Sequence, residues 1–333
     1  MAYDQVDNVL AEARQSLMKF IGVRTVGKGF IWKNGKMTKQ IGIVVGVTNK
    51  LAPKDIHPKQ FLPESISGIE IDVVDSHEIM ALAAPIDYDC QQYRPVIGGC
   101  GLGHYLITGG TLGEYRSDWD LEISNNHVLA NQNQASIGDP IMQPAPICSS
   151  QQNQVATLAG FKKIEFTGSS PTCPISQTIN AFYALLGRKS RLTMQAGVNH
   201  VDVAFAKPTV EHVTGFIDIG VAVGHKDAAE LGSEGTGRGA RQVKGVYVYN
   251  DICTQVNVSV QVGYSNNNVA VFEDQTIHQT ADGLAPIAPG SSGTTRRDKQ
   301  DGKIDGLYFA GSDTMGIASP YHYVIEAHDE LGI

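Results

Sequence analysis

Ala288-Pro289-Gly290-Ser291-Ser292-Gly293-Thr294 is a loop sequence in which a proline and two glycines bracket a pair of serines. Glycine tolerates the positive φ of a tight turn, and such a turn can aim backbone N–H groups at a developing oxyanion. A serine hydroxyl is a poor nucleophile at neutral pH unless an adjacent base takes its proton and a third group orients that base. Two distant segments supply those groups: Ser124-Asn-Asn-His-Val-Leu129 carries His127, and His200-Val-Asp-Val-Ala204 carries Asp202. Each falls where a strand-rich sequence turns. The reading is a catalytic triad of His127, Asp202 and Ser292, with the N–H groups of Gly290 and Ser292 as oxyanion donors. Ser291 is a competing nucleophile whose side chain should point elsewhere on a tight loop. Asp139 is a competing carboxylate, but Gly138-Asp139-Pro140 reads as a turn.

The spacing around these residues resembles the trypsin-like serine peptidases related to the plant narrow-leaf protein. The likeness is carried by Ser124-Asn-Asn-His-Val-Leu-Ala130, Ile137-Gly-Asp-Pro-Ile-Met-Gln-Pro144, Val201-Asp-Val-Ala204 and the nucleophile loop. Gly110-Thr-Leu-Gly113 and Gly306-Leu-Tyr-Phe-Ala-Gly-Ser312 fit it too, as do Gly27-Lys-Gly-Phe30, Ile43-Val-Val-Gly-Val47 and Ile71-Asp-Val-Val74. The order His, Asp, Ser is the chymotrypsin-like one and excludes the subtilisin and α/β-hydrolase orders. The resemblance implies a mainly β, chymotrypsin-like double β-barrel. It also implies that Gly311 and Ser312 pair with an extended substrate. Pro286 stands six residues before the nucleophile, where arginine- and lysine-specific trypsins carry an acid, which implies an apolar or small primary pocket. Ser291 departs from the family's aspartate, which argues against activation by zymogen cleavage.

Composition bounds the rest. The chain has 333 residues, 42% hydrophobic and 18% charged, with a formal charge of −8. This is globular material, with no basic footprint for nucleic acid and no apolar run of the ~20 residues that a spanning helix needs. The polar, acidic start does not form a secretory signal. The odd set Cys90, Cys100, Cys148, Cys173 and Cys253 contains no CxxC pair, so the expectation is reduced thiols and a cytoplasmic protein. No cofactor is implied. His104, His200, His225 and His322 lack metal-ligand spacing, and Gly235-Thr-Gly-Arg-Gly239 lacks the Lys-Ser/Thr ending of a phosphate loop.

Along the chain, Val6, Leu10, Ala13, Leu17 and Phe20 predict an amphipathic helix over 4–21. Val23–Trp32 and Lys39–Thr48 flank an Asn34-Gly35 hairpin signal. A proline-spaced segment (53–63) with one short helix and a strand at Ile69–Val74 complete a small α+β N-terminal domain, residues 1–90. Residues 85–95 read as a linker. From residue 96 to 333 the pattern is all-β. Strands are expected at Tyr105–Thr108, Leu121–Ser124, Gln154–Phe166, Val201–Phe205, Val243–Tyr249, Thr254–Val262, Val269–Phe272 and Lys303–Ala310. A helical insert is expected near 169–191, and a closing helix over Pro320–Leu331.

The sequence thus points to an intracellular serine endopeptidase acting on a protein or peptide substrate through an acyl-enzyme. The alternative is a catalytically silent relative that binds a peptide or partner in the same cleft. A homo-oligomer or a regulatory partner fits either, whereas nucleic acid and membrane do not.

Overall fold

A computed structural model of the chain describes residues 3–81, 87–148, 153–167 and 197–333. The helix Tyr3–Leu17 buries Val6, Leu10, Ala13 and Leu17, which share one face because they recur every three or four residues. That face covers the hairpin Val23–Lys33 and Lys36–Val47, where Val26, Ile43 and Val45 meet it. Each large apolar side chain so buried contributes roughly 1.5–3 kcal/mol. Asn34 and Gly35 at the turn have φ of 53° and 71°, the left-handed pair that matches a two-residue loop to the twist of its strands. Ile69–Asp75 adds in parallel to the second arm, with Ile71 opposite Ile43. The proline-spaced segment forms two single turns of 3-10 helix, Pro53–Asp55 and Pro58–Gln60, rather than one helix. Each opens on a proline, which suits a first turn and cannot continue an existing one.

Most of the remaining strands make two barrel-like sheets, while Val96–Gly98 and His212–Phe216 form a separate parallel pair. The first runs in the order Gly110–Thr111, Gly101–His104, Pro140–Gln143, Asn153–Phe161, Ala204–Pro208, Leu121–Ser124, Glu114–Arg116. Its two outer strands are only two residues apart in the chain, so the sheet curls back on itself. In the second, Glu234–Val243, Thr295–Asp298, Ile304–Gly311, Gly316–Pro320, Val269–Gln279 and Val246–Gly263 follow one another. The last pairs back onto the first, closing a ring. The fold is mainly β and chymotrypsin-like, as the sequence implied. The N-terminal hairpin continues the second sheet, because Val23–Lys33 pairs antiparallel with Val246–Gly263, Thr25 opposite Val260.

Several local readings are corrected. Tyr105–Thr108 is turn and loop, the strand being Gly101–His104. The strand expected over Gln154–Phe166 stops at Phe161. Asp202 precedes the strand Ala204–Pro208 rather than lying in it. Val246–Gly263 is one strand of 18 residues where two were expected, and the turn before it uses Lys244 and Gly245 at φ of 52° and 82°. The glycine-rich stretch 235–239 lies within the strand Glu234–Val243. A Cβ on Gly235 would fall 2.3 Å from Arg296 Nε, and one on Gly237 would fall 2.1 Å from Tyr249 Oη, so these glycines admit buried neighbours, not phosphate. The expected helical insert near 169–191 lies outside the described residues.

The thiol expectation also changes. Cys90 is disulfide-bonded to Cys148, 58 residues away in sequence, whereas the nearer Cys100 is a buried thiol, as is Cys253. The fold brings the Cα atoms of Cys90 and Cys148 to 5.5 Å, within bridging range. The all-thiol expectation therefore does not hold for this pair. Among the described residues no helix is long and apolar enough to cross a membrane. The segment read as a linker is packed down where it is described. Tyr88 donates to Gly110 O, and Asp89 pairs with Arg238, both of that pair being nearly fully buried.

The strand leaving the Gly290–Gly293 loop is anchored by a buried charge network. Arg296 donates to Asp251 at 2.7 Å and to Asp305 at 2.6 Å, and Tyr308 donates to the other Asp251 oxygen at 2.9 Å. Burial pushes the Asp251 carboxyl up, but the charges of Arg296 and His278 outweigh it and hold it down to about 2. Burial carries Asp305 up to about 6, with Arg296 offsetting only part. Removing one partner of such a pair leaves uncompensated buried charge. Arg296→Met is therefore expected to cost about 3–5 kcal/mol, read as a lower urea midpoint with an unchanged slope.

Candidate active site

His127 lies on a one-turn helix, Asn126–Leu129, immediately after the strand Leu121–Ser124. The two asparagines before it hold that turn in place. Asn125 donates from its side chain to Asp202 O at 2.7 Å, and Asn126 donates to Asn133 Oδ1 at 2.8 Å and Lys162 O at 2.7 Å. His127 is thereby set against Asp202, with Nδ1 2.7 Å from Asp202 Oδ2 and its backbone N–H 3.3 Å from Oδ1. Asp202 is fully buried, and its Oδ2 accepts a second hydrogen bond at 2.8 Å from Tyr264. The Tyr264 ring also stands edge-on to the imidazole, 5.9 Å between centroids. Burial, and then the Asp202 charge, raise the Tyr264 phenol well above its usual range, so it stays a donor.

A carboxylate accepting at Nδ1 fixes the proton on that nitrogen and leaves Nε2 with its lone pair. His127 Nε2 is buried and has no hydrogen-bond partner among the described residues.

Ser292 occupies the seam between the two sheets. Its loop turns through Gly290 and Gly293, at φ of 98° and 94°. Thr111 of the first sheet clamps it twice: its N–H donates to Ser292 O at 2.7 Å and its hydroxyl to Gly290 O at 3.0 Å. Gly113 O accepts from Thr295 Oγ1 at 3.0 Å just beyond. The Gly110-Thr-Leu-Gly113 stretch thus lies against the loop. A Cβ on Gly110 would meet both Val128 Cγ2 at 2.4 Å and Ser292 O at 3.0 Å, which places the His127 helix and the serine side by side. Ser292 Oγ donates to Phe309 O at 3.2 Å. Ser291 faces the other way, its Oγ 2.7 Å from where a Cβ on Gly239 would stand. The position is almost fully buried, so a neutral hydroxyl there needs no counter-charge, unlike an aspartate.

The other singled-out residues are placed as follows. Pro286 is buried. Gly311 ends the strand Ile304–Gly311, and Ser312 N donates to Met315 O at 2.9 Å. Ile287 fills the space beside Gly311 and Gly316: Cβ atoms on those glycines would come 3.7 and 3.0 Å from it. Asp139 pairs with His104 at 3.1 Å, away from His127. His225 faces Glu114 at 3.2 Å, His200 stacks on Tyr323, and His322 engages Asp227 O at 3.0 Å. Among the described residues no three metal-binding side chains gather.

No protein-family model matches the chain, and no curated protein matches it. Solved structures similar to it include the Rv3671c protease in an inactive form, at 12% identity, covering 70% of this chain and 88% of that one, with a TM-score of 0.37. A serine-to-alanine variant of the same protein from M. tuberculosis H37Rv, also inactive, is 14% identical over 70% of this chain and 85% of its own, with a TM-score of 0.32. Likeness of this degree says nothing of what this chain acts on; the fold stands on its own two sheets.

Sequence reasoning missed Tyr264 and Thr111 as site residues. Thr111 stood in a quoted stretch, Gly110-Thr-Leu-Gly113, whose hydroxyl was the unused signal. Tyr264 had none, since it follows a long strand, 62 residues from its partner. Tyr264→Phe keeps the ring and deletes one hydrogen bond to a buried carboxylate. The expected loss is about 2 kcal/mol, within the range for bonds to charged groups, measured by chemical denaturation. An unchanged midpoint would show that the Asp202 contact is not made.

Proposed function

We propose that this protein is a serine endopeptidase of the trypsin-like kind, working through His127, Asp202 and Ser292. The observation that carries the reading is the oriented imidazole, with Nδ1 on a buried carboxylate and Nε2 unengaged, on a turn whose Val128 packs beside Gly110 and Ser292 O. In this reading His127 Nε2 takes the hydroxyl proton as Ser292 Oγ attacks the scissile carbonyl. Asp202 stabilises the imidazolium, and the same proton passes to the leaving amine as the acyl-enzyme forms. Water, deprotonated by His127, then hydrolyses the ester and restores the serine. The N–H groups of Gly290 and Ser292 serve the oxyanion, where losing one donor typically costs ~100–1000-fold. Pro286, with Ile287 beside it, favours a small or apolar side chain before the cut. The relation to the narrow-leaf peptidases belongs to this proposal, as does a role for the first ninety residues in positioning substrate or assembling subunits.

A second reading, a silent cleft that binds a peptide or partner, is favoured by one contact: Ser292 Oγ is donated to Phe309 O. Labelling by a small fluorophosphonate decides between them. Labelling that disappears in Ser292→Ala and persists in Ser291→Ala supports the enzyme. A folded protein that never labels supports the binding module. In a peptide-library digest, cleavage is expected after small or apolar residues; a dominant preference for Arg or Lys would refute the pocket assignment.

A further inference from the structure

The strand Ile304–Gly311 carries the Phe309 carbonyl that Ser292 Oγ touches, so its continuation, Ala310 and Gly311, leads away from the nucleophile. One edge of this strand is used throughout by Gly316–Pro320, with Ile317 opposite Ala310 and Gly316 opposite Gly311. The other edge is covered by Thr295–Asp298 as far as Leu307, and Gly293 and Thr294 engage the Tyr308 backbone just beyond. Past Tyr308 it would be open, with its backbone groups beside the seam. An extended peptide whose scissile carbonyl stands at Ser292 would add to that edge as an extra strand, since a sheet edge next to a reactive group binds extended chain through main-chain hydrogen bonds.

The edge is already taken. Met80 and Ala81 pair antiparallel along it, Met80 opposite Gly311 and Ala81 opposite Ala310. Their polarity is that of a peptide whose chain runs toward the serine, because Ala81 follows Met80 and lies on the Phe309 side. Two further contacts hold them. Gly263 N–H donates to Ile79 O at 2.9 Å, and Ile79 is buried with Phe309, Ala310 and Tyr264. Thr314, in the turn after Gly311, donates its hydroxyl to Asp75 O at 3.1 Å. The pairing itself is two residues long and half-exposed at Met80, a short strand that a longer peptide can displace.

We propose that Met80–Ala81 is an internal competitor strand, which holds the substrate edge of Ala310–Gly311 and keeps the protein self-blocked until it is displaced. This rests on the peptidase reading of Ser292. It assigns the N-terminal ninety residues a regulatory contact with the cleft.

Three proteins are compared, the full-length chain, Ala81→Pro and Met80→Gly, each checked for an intact thermal transition. A small fluorophosphonate reports Ser292 without spanning the edge; hydrolysis of a mixed peptide library reports the edge. The expected result is labelling within twofold in all three and peptide hydrolysis at least tenfold faster in the variants. Equal labelling with unchanged hydrolysis overturns the competitor strand and leaves the peptidase reading in place. Absence of labelling in every protein overturns both. Should the variants fail to fold, hydrogen exchange on the unmodified chain gives the answer. A tripeptidyl boronate bound at Ser292 is expected to speed exchange at Ile79–Ala81, and unchanged protection there with the boronate bound rules the displacement out.

Discussion

A carboxylate with no access to water has to be satisfied from within, and Asp202 is satisfied from both halves of the molecule. His127 approaches from the first sheet with ring and backbone N–H, and Tyr264 from just past the end of a strand of the second. Burying an ion without such partners costs several kcal/mol, so the three donors have to arrive together. Arranging them sets the angle of the imidazole, the position of the Asn126–Leu129 turn and the approach of the two sheets along one seam. The serine loop is then fixed from the same side by Thr111, a residue of the first sheet bonded to a loop of the second. The chemistry of the site and the docking of the barrels are one set of hydrogen bonds.

How much of this was legible in the sequence depends on the range of the interaction. The Asn34-Gly35 turn declared itself, because a left-handed pair is a local demand that few residues meet. The helix over Tyr3–Leu17 followed from the spacing of four apolar residues, and the end of the prediction at 21 overran because Phe20 still fits that spacing after the helix has stopped. His127, Asp202 and Ser292 were singled out through the residues beside them, and the structure brings the first two into contact. What could not be read were partners joined only by the fold. Tyr264 meets Asp202 across 62 residues, Cys90 meets Cys148 across 58, and Arg238 meets Asp89 across 149. Asp89 looked like part of a linker, since the arginine it pairs with lies far along the chain.

The strand Val246–Gly263 shows the same limit in another form. Its valines read as two strands because residues 250–253 interrupt them, yet the strand runs through that stretch. The actual irregularity falls further on, where Asn257 adopts a positive φ of 51° and the register to Val269–Gln279 shifts. Such a bulge bends a strand without ending it. The bend allows one strand to serve the closed ring at one end and the N-terminal hairpin at the other. Arg14 of the first helix donates to Asn257 O at that break, so the helix takes up a carbonyl turned out of the ladder.

The outer edge of the second sheet has a consequence for how this chain meets its neighbours. Open strand edges are templates on which other chains can grow, and here the second sheet terminates in Ser65–Ile66, a strand of only two residues. Beside it, Ile71 N–H is engaged by Glu64 O, and the Lys50 ammonium sits on the Val73 carbonyl. A sheet that ends in so short a strand, with a lysine at its margin, offers little for a second copy to lengthen. Its resistance to fibrous stacking is thus written into its outermost residues.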